Sequence, residues 1–483
     1  MTPFYSSLHI DKSSKQPVYL QLTNQLMGLI RTGVMHAGQR LPSSRQMAEW
    51  LGVHRKTVVK SYEELLVQGW LESHTGSGTF VARHLPKLQP QALPATRTTK
   101  TVTATGIKVP PAPHLNRMVI KAGVGLHLDD GFPDPRLAPL EELARAYRSQ
   151  LLTGNSYIRL GYSDTMGSQW LRQQLSEYLQ ETRGLHASPE NILIVRGTTM
   201  AMHLAGNALL QPGDNVAISE FTWGSAMANI VEAGANPLKV PVDEHGIDTV
   251  ALERLCRRKQ LRMLYVTPHH HYPTTVVLRA DRRMHLLQLS EKYGFFIFED
   301  DYDYDFHYHS KPLLPLASAD RSGMVLYSGS FTKSISPGFR VGYITGPEYV
   351  ITHLAKFRRI IDRQGDTVLE NAIAELLQEG VVQRCLRKSL RLYKERRDVF
   401  CALMQKKLKD AVSFEVPVGG LAVWATFAAG IDLKAIAQQA FNRGLYLHDG
   451  SLYAPQENTT RLGFASSTPE ELKKCVDILA KLV

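Results

Sequence analysis

The sequence predicts a multi-domain protein, with a small α+β unit of winged helix-turn-helix plan first and a large α/β domain after it. Three observations predict this arrangement. Helical patterns and a glycine-centred hairpin pattern fill the N-terminal part, a stretch rich in proline and threonine follows, and short apolar runs then alternate with helical patterns. We expect the winged unit at residues 12–83, a flexible basic linker at 84–120 and the large domain at 121–483.

The positive charge of the chain lies mostly in its N-terminal quarter. The formal net charge is +11, and residues 1–120 hold fourteen Lys and Arg against five Asp and Glu. This asymmetry favours a polyanion as the partner of that part, with nucleic acid ahead of a membrane surface; a basic face that only aids solubility is the alternative. No apolar run reaches membrane-spanning length and no Cys-x-x-Cys pair occurs, so we expect a cytoplasmic protein with reduced thiols.

The N-terminal unit has the element order of a winged helix. An apolar stripe predicts a helix at residues 17–31, Ser43 and Ser44 can cap a second helix at 45–51, and Gly52 begins a turn into a third helix at 54–68. Residues 69–82 then read as strand, glycine turn and strand. In such a plan the helix after the turn enters the DNA major groove by its N-terminal end.

That helix end is basic and polar, which favours DNA over the alternative of a protein-docking module. Backbone amides at helix starts, with serine and arginine nearby, grip phosphates. The unit resembles the GntR family of bacterial transcription factors in Leu41-Pro42-Ser43-Ser44-Arg45, Leu51-Gly52-Val53, Arg55, Thr57-Val58, Tyr62, Leu65, Gly69 and Gly76-Ser77-Gly78-Thr79-Phe80-Val81. The predicted DNA-binding residues are Ser43, Arg45, His54, Arg55, Lys56, Thr57, Gly76 and Gly78. His54 stands where many relatives have serine.

The large domain is predicted to have a mostly parallel sheet, because short apolar runs at residues 191–195, 215–219, 261–267, 295–299 and 324–327 alternate with helical patterns. Ligands of such sheets bind at the carboxyl ends of the strands. Polar motifs follow several of these runs, so we expect the binding site there.

Four strand-end motifs have residue types suited to a phosphorylated aldehyde. Residues 196–200 place a glycine and two threonines at a helix start, which is a phosphate site. Trp223 offers a flat ring, with core packing as the alternative. The carboxylates of residues 299–305 suit a protonated ring nitrogen or, as the lesser alternative, a metal. Residues 328–343 combine one lysine, Lys333, with hydroxyls and Arg340; the amine can form an imine while the others hold phosphate.

Together these residues resemble the fold-type I aminotransferases, which bind pyridoxal 5′-phosphate (PLP) and end in a small C-terminal α/β subdomain. Further matches are Gly161-Tyr162, Gly167, Leu171-Arg172, Gln211-Pro212-Gly213-Asp214, Gly246-Ile247 and Thr267-Pro268. The resemblance implies that Lys333 is the catalytic residue and holds the cofactor as a lysine aldimine. It implies further cofactor contacts for Asp300 at the ring nitrogen, Tyr302 at the ring hydroxyl, Trp223 on the ring face, and Ser330, Arg340, Thr198 and Thr199 at the phosphate. No metal site is implied.

A GntR-type head joined to an aminotransferase-like body resembles the MocR family of regulators. This resemblance implies a transcriptional regulator that binds promoter DNA, senses PLP or a small amino compound, and forms a head-to-tail homodimer with exchanged heads. It also implies that Arg461 grips an effector carboxylate, with a surface ion pair as the alternative. We expect slow half-reactions at most; a working aminotransferase (transaminase) with an accessory head is the alternative, and a protein without cofactor is a third.

Four residues of the large domain depart from the family pattern, and the first is Trp223, where the common residue is tyrosine. Thr275 replaces a glycine and His271 a glutamine in the loop after the third apolar run, which leaves His271 or Tyr272 as the loop's partner for the ring hydroxyl. Ser225 stands where the branch that recognises γ-aminobutyrate has arginine, so that effector is disfavoured.

Overall fold

The computed structural model describes residues 7–85, 110–115, 125–308, 314–453 and 457–483, with the backbone alone at 158 and 159. The chain divides into two compact units, residues 1–110 and 111–483. Most of the predicted linker, 84–120, falls at residues 86–109 and 116–120, outside the described residues, and its boundaries therefore stay a prediction.

The first unit is a winged helix-turn-helix, as the sequence predicts. Its elements are α1 (Val18–Arg31), α2 (Ser44–Leu51), α3 (Arg55–Val67), β1 (Leu71–His74) and β2 (Gly78–Val81). The two strands form an antiparallel wing in which Leu71 lies opposite Val81. Leu26, Met47 and Leu65, one from each helix, have no exposed surface and form the core of the unit.

Local sequence determines the turn between α2 and α3. Ser43 caps α2 by accepting a hydrogen bond from the backbone N–H of Gln46, and the backbone N–H of Ser43 in turn donates to the Gln46 side chain. Gly52 ends α2 in the left-handed conformation at φ 59°. His54, predicted as the first helical residue, instead caps α3: its Nδ1 accepts from the backbone N–H of Lys56 at 3.2 Å.

The second unit is built on a seven-stranded sheet. The strands of the sheet are β4 (Ile192–Val195), β5 (Asn215–Ser219), β6 (Asn236–Val240), β9 (Leu261–Val266), β10 (Phe296–Asp301), β11 (Val325–Ser330) and β12 (Gly342–Thr345). Their order across the sheet is β4-β12-β11-β10-β9-β5-β6. All are parallel except β12, which runs antiparallel to β11 and β4. The sequence predicts the parallel part; β12 reverses because the connection from β11 contains no crossover helix.

Helices cover both faces of this sheet. Along β9, Met263 and Tyr265 face an apolar cluster shared with α7, α8 and α12, whereas Leu264 and Val266 face a cluster shared with α9 and α10. The helices of this unit are α4 (Leu140–Leu152), α5 (Ser156–Leu160), α6 (Gln169–Arg183), α7 (Thr198–Leu209), α8 (Gly224–Glu232), α9 (Thr249–Cys256), α10 (Ala280–Tyr293), α11 (Leu316–Ala319), α12 (Glu348–Ile361), α13 (Thr367–Gln378), α14 (Val381–Leu408), α15 (Leu433–Asn442) and α16 (Pro469–Leu479).

The C-terminal part forms the small α/β subdomain that the resemblance implies. The strands β13 (Val412–Phe414), β14 (Ala422–Phe427) and β16 (Thr459–Gly463) make an antiparallel sheet. The early strand β3 (Leu126–Leu128) pairs in parallel with β15 (Leu445–Leu447), and a two-stranded ribbon joins β7 (Val242–Asp243) to β8 (Gly246–Ile247). Because β3 joins this subdomain, the residues after it lie beside β16, where the N–H of Gly463 donates to the carbonyl of Asp129 at 2.7 Å.

Candidate functional site

One cavity of the large unit, about 190 Å³ in volume, lies at the carboxyl ends of the parallel strands. It brings together all eight residues that the sequence predicts for the cofactor. The lining residues are Asp130, Phe132, Thr198, Thr199, Trp223, Tyr265, Thr267, Tyr272, Asp300, Tyr302, Ser330, Thr332, Lys333 and Arg340.

One end of the cavity is built for an anion by the start of α7. Gly197, at φ 78°, precedes Thr198 and Thr199 in the first turn of this twelve-residue helix. Arg340 donates from Nη2 to the carbonyl of Arg196 at 2.9 Å. A Cβ at position 197 would lie 2.8 Å from that nitrogen, so glycine is required for the guanidinium to approach. Helix amides, two hydroxyls and a guanidinium are the donors that bind phosphate.

Two more hydroxyls complete this end. Ser330, at the end of β11, donates from Oγ to Oγ1 of Thr332 at 2.6 Å and accepts from the Thr332 backbone N–H at 3.0 Å. The turn after β11 is therefore held by its own hydroxyls, and both side chains line the cavity.

Asp300 presents a carboxylate to the same cavity. Tyr265 donates to its Oδ2 at 2.7 Å, whereas its Oδ1 is buried without a hydrogen-bond partner. Burial raises the pKa of this carboxyl to about 7, against the opposing effect of the Tyr265 hydrogen bond. A buried acceptor that lacks a partner fits a protonated ring nitrogen, so the residues present fit PLP at this end as well.

The other carboxylates of residues 299–305 have partners away from the cavity. The pairs are Glu299 with the N–H groups of Leu316 and Ala317, Asp301 with Tyr327 and His269, Asp303 with His270, and Asp305 with Arg183. Within the described part of the chain, no group of three or more His, Cys, Asp or Glu side chains is placed to hold a metal ion.

The Lys333 amine lies between the two ends. Its Nζ donates to the backbone carbonyl of Gly131 at 2.7 Å and lies 5.3 Å from the centre of the Phe132 ring. Burial lowers the pKa of this amine, against the opposing effect of Asp130 and Asp129. A lowered amine pKa raises the share of the uncharged, nucleophilic form.

Aromatic side chains form the remaining walls. Trp223 is the residue directly before α8; it lines the cavity and also packs against the apolar cluster of that sheet face, so both the ring-face role and core packing apply to it. Tyr302 lines the cavity and donates its hydroxyl to the carbonyl of His270 at 3.0 Å. Of the loop residues proposed for the ring hydroxyl, Tyr272 lines the cavity and His271 does not.

The loop with the departures from the family pattern is buried and internally bonded. His271 contacts Thr274 through Nδ1 at 2.7 Å, and burial lowers the pKa of its ring to about 3, so it is neutral at physiological pH. Thr275 has φ 65°, the left-handed conformation that glycine adopts without strain. At this position the loop therefore combines a conformation that favours glycine with a β-branched residue.

Arg461 does not line the cavity. It lies on β16 with 1% of its surface exposed, and its Nε is 3.1 Å from Oδ1 of Asp130. The predicted alternative, a surface ion pair, is therefore wrong about its location: the pair is buried. Its partner Asp130 does line the cavity.

Five lining residues were not predicted as site residues: Asp130, Phe132, Tyr265, Thr267 and Thr332. Asp130 and Phe132 flank Gly131 in the loop that follows β3. An Asp-Gly pair after a strand indicates a turn, and this is the sequence signal that marks the loop. Tyr265 has the one polar tip among the buried residues of β9, which is a signal for a site-facing hydroxyl.

The predicted DNA-binding residues lie on one small unit at the start of α2, the start of α3 and the wing. Ser43, Arg45, His54, Arg55, Lys56 and Gly76 are exposed, and Thr57 and Gly78 are half-buried. Arg55 donates from Nε to Ser44 Oγ at 3.2 Å. Arg40, which sequence reasoning missed, lies against the wing, since a Cβ on Gly78 would be 3.0 Å from its Nε.

Comparison with known proteins explains both units. Residues 130–479 match the family described as aminotransferase class I and II, and residues 18–81 match the gntR family of bacterial regulatory proteins. The chain is a MocR-type regulator that belongs to the aminotransferase class I and II family. The cofactor of this family is PLP.

Relatives of this MocR-type regulator match it over nearly its whole length, which includes both units. The chain is 29% identical to the probable rhizopine catabolism regulatory protein MocR of Rhizobium meliloti, over 98% of this chain and 95% of the relative. It is 27% identical to the HTH-type transcriptional regulator TauR of Rhodobacter capsulatus, over 94% and 93%. With its gntR-family unit, the MocR-type regulator binds DNA and regulates transcription.

Solved aminotransferases share the fold of the large unit. An archaeal alanine:glyoxylate aminotransferase has a TM-score of 0.70 and 27% identity, over 74% of this chain and 90% of its own. LysN, the α-aminoadipate aminotransferase of Thermus thermophilus, has a TM-score of 0.69 and 27% identity, over 74% and 92%. Proteins of this fold are commonly dimers. Among the helices described for the MocR-type regulator, none has the length and apolarity needed to cross a membrane.

Proposed function

We propose that the large unit senses PLP or a small amino compound in the cavity and that this binding changes the affinity of the winged unit for promoter DNA. The observation that carries the proposal is the convergence of all eight predicted cofactor residues on one cavity, with an unpartnered oxygen on Asp300. A site with a phosphate end, a carboxylate end and an amine between them matches PLP in each of its polar groups.

Each residue has a separate task in this proposal. Arg340, Ser330, Thr198 and Thr199 hold the phosphate, and Asp300 keeps the ring nitrogen protonated. Lys333 supplies the amine that attaches the cofactor, and its lowered pKa increases the share of the uncharged, nucleophilic form. Bound PLP supplies an aldehyde carbon that bonds reversibly to primary amines. Trp223 and Tyr302 exclude water from the ring.

Covalent capture tests the assignment of Lys333. The full chain is incubated with PLP, reduced with borohydride and digested, and the peptide that carries the cofactor mass is identified. We expect the label on Lys333 and its loss in Lys333→Ala, whereas Lys356→Ala, which removes an exposed lysine of α12, keeps it. Label at another lysine, or none in the wild type, contradicts the proposal.

A working aminotransferase is the second candidate, because the cavity holds both the lysine and the carboxylate that this chemistry uses. The burial of Arg461 against Asp130 speaks against fast turnover of amino acids, since the arginine is not at the cavity wall. Multiple-turnover assays with amino acid and keto acid pairs separate the two: we expect less than one complete turnover per site during the time in which DNA binding responds.

We also propose a head-to-tail homodimer with exchanged heads. The second unit exposes large apolar side chains near α4 and α5, including Leu152 at 71%, Leu160 at 61% and Tyr162 at 81%. An apolar face of this kind favours association with a second copy.

We expect Leu152→Glu to weaken the dimer in sedimentation, whereas Val250→Glu, at an exposed apolar position on α9, does not. Crosslinks from head to body in mixtures of differently tagged copies should join two chains; crosslinks within one chain would contradict the exchange.

A further inference from the structure

The Asp130 carboxylate is fixed at the wall of the cavity by three groups. Its Oδ1 accepts from the hydroxyl of Tyr453 at 2.6 Å and lies 3.1 Å from Nε of Arg461. Its Oδ2 accepts from the hydroxyl of Tyr272 at 2.8 Å. Two hydrogen bonds and an ion pair, all with buried or half-buried partners, hold the carboxylate in one place.

The backbone next to Asp130 is fixed as well. Gly131 has φ 83°, and a Cβ there would lie 3.2 Å from Nη2 of Arg461 and 3.2 Å from Cβ of Ala422. The carbonyl of Gly131 accepts from Nζ of Lys333. The loop is therefore packed between the arginine and the reactive lysine, and movement of Asp130 would disturb both.

Two of the three guanidinium nitrogens of Arg461 already face groups of the protein, since Nε lies beside Asp130. Its Nη1 donates to the carbonyl of Pro273 at 2.9 Å, and its guanidinium lies 4.9 Å from the centre of the Tyr272 ring. Asp130 is the neighbouring carboxylate, and Asp130 and Tyr272 line the cavity while Arg461 does not. A ligand in the cavity therefore contacts the Asp130 carboxylate at the place where Arg461 would otherwise bind a carboxylate of the ligand.

We propose that Asp130 is a specificity-determining residue: it occupies the carboxylate position of Arg461, so that the site selects primary amines without a carboxylate on the amine-bearing carbon. This inference rests on the proposed function, since the amine is sensed beside bound PLP. A ligand carboxylate would be repelled by Asp130 and would find the guanidinium already neutralised. A ligand with hydrogen or an apolar group there meets Tyr272 and Phe132 without that repulsion.

Matched ligand pairs test this selectivity. Calorimetric titration of the PLP-loaded full chain compares ethylamine with alanine, 2-phenylethylamine with phenylalanine, and putrescine with ornithine; each pair differs by one carboxylate. We expect the amine to bind about tenfold or more tightly than the amino acid in each pair, the ratio that corresponds to about 1.4 kcal/mol.

Variants then show whether Asp130 causes the preference. Asp130→Asn keeps the shape of the side chain and one acceptor oxygen for a tyrosine hydroxyl but removes the negative charge, and we expect the preference to fall to about one or to reverse. Tyr453→Phe removes one hydrogen bond to Asp130 without a change of charge, and we expect an intermediate ratio even if Asp130→Asn does not fold. Asp164→Asn is the matched control, because it removes an arginine-paired carboxylate that does not line the cavity.

The outcomes separate this inference from the proposed function. If PLP binds but the wild type prefers amino acids, or if both Asp130→Asn and Tyr453→Phe leave the ratio unchanged, Asp130 does not determine specificity. In that case this inference is wrong and the proposed function still stands. If the wild type takes up no PLP in its absorption spectrum, the proposed function fails, and the inference fails with it.

Discussion

Tyr265 donates its hydroxyl to Oδ2 of Asp300 at 2.7 Å, while Oδ1 of the same carboxylate stays buried without a partner. The tyrosine fixes the rotamer of the carboxylate, and the cavity is left with one strong acceptor. A buried acceptor of this kind is costly unless a donor meets it, and the protonated nitrogen of PLP is such a donor.

Replacing this acceptor should weaken cofactor binding. We expect Asp300→Asn to lower the affinity for PLP by about 1.5–3 kcal/mol, the range for a hydrogen bond to a charged group. Equilibrium titration of the cofactor-free full chain, followed by visible absorption, measures the loss. Asp243→Asn, at an exposed carboxylate paired with Arg282, should bind PLP as the wild type does. Equal affinities for the wild type and Asp300→Asn would refute the role of Asp300.

Asp300 should also give the cofactor-free protein a distinctive pH dependence. Burial raises the pKa of its carboxyl from 3.8 to about 7, so the folded state holds a proton that the unfolded state releases near pH 4. Stability from this group is full below pH 4 and is lost as the pH rises to about 7. We expect the difference in melting temperature, Asp300→Asn minus wild type, to increase as the pH rises from 4 to 7. A constant difference across this range would contradict the raised pKa.

Arg55 tests the DNA-binding surface. If its guanidinium contacts a base through two hydrogen bonds, Arg55→Ala should cost about 1–3 kcal/mol of specific DNA binding. If it contacts phosphate, the affinity for all DNA sequences should fall together. The slope of log affinity against log salt concentration should then become less steep by about one. The measurement is affinity for a fragment selected from random DNA by the wild-type full chain. Arg31→Ala, at the end of α1, is the control; unchanged affinity in Arg55→Ala would show that α3 does not face DNA.

His54 combines an exposed ring with a capping role, since its Nδ1 accepts from the N–H of Lys56. We expect His54→Ala to lose about 0.5–2 kcal/mol of stability of the winged unit and His54→Ser to restore it, because serine is a good N-cap. Thermal unfolding of the full chain measures this. A His54→Ala protein as stable as the wild type would show that the cap contributes nothing.

The sequence predicted much of the cofactor site because the residues that bind it follow strand ends in short, recognisable motifs. Thr198, Asp300 and Lys333 each sit within a few residues of an apolar run, and parallel strands bring such ends to one edge. The direction of β12 was not predicted, since its short apolar pattern carries no sign of strand direction.

The partner of Arg461 could not be predicted from local patterns. Asp130 lies 331 positions earlier, and the two meet because β3 pairs with β15 beside β16. Contacts of this kind depend on the assembly of the whole subdomain. The capping role of His54 was missed for a different reason: histidine is an uncommon N-cap, so propensity favoured it inside the helix.

The affinity of the full chain for its selected DNA, measured without PLP, with PLP, and with PLP plus 2-phenylethylamine, tests the link between cavity and DNA most directly. We expect PLP or the amine to change this affinity by about fivefold or more in the wild type. Lys333→Ala should bind the same DNA with one affinity under all three conditions. One affinity for the wild type under all three, with PLP uptake seen in its absorption, would contradict the account, and so would an unaltered response in Lys333→Ala.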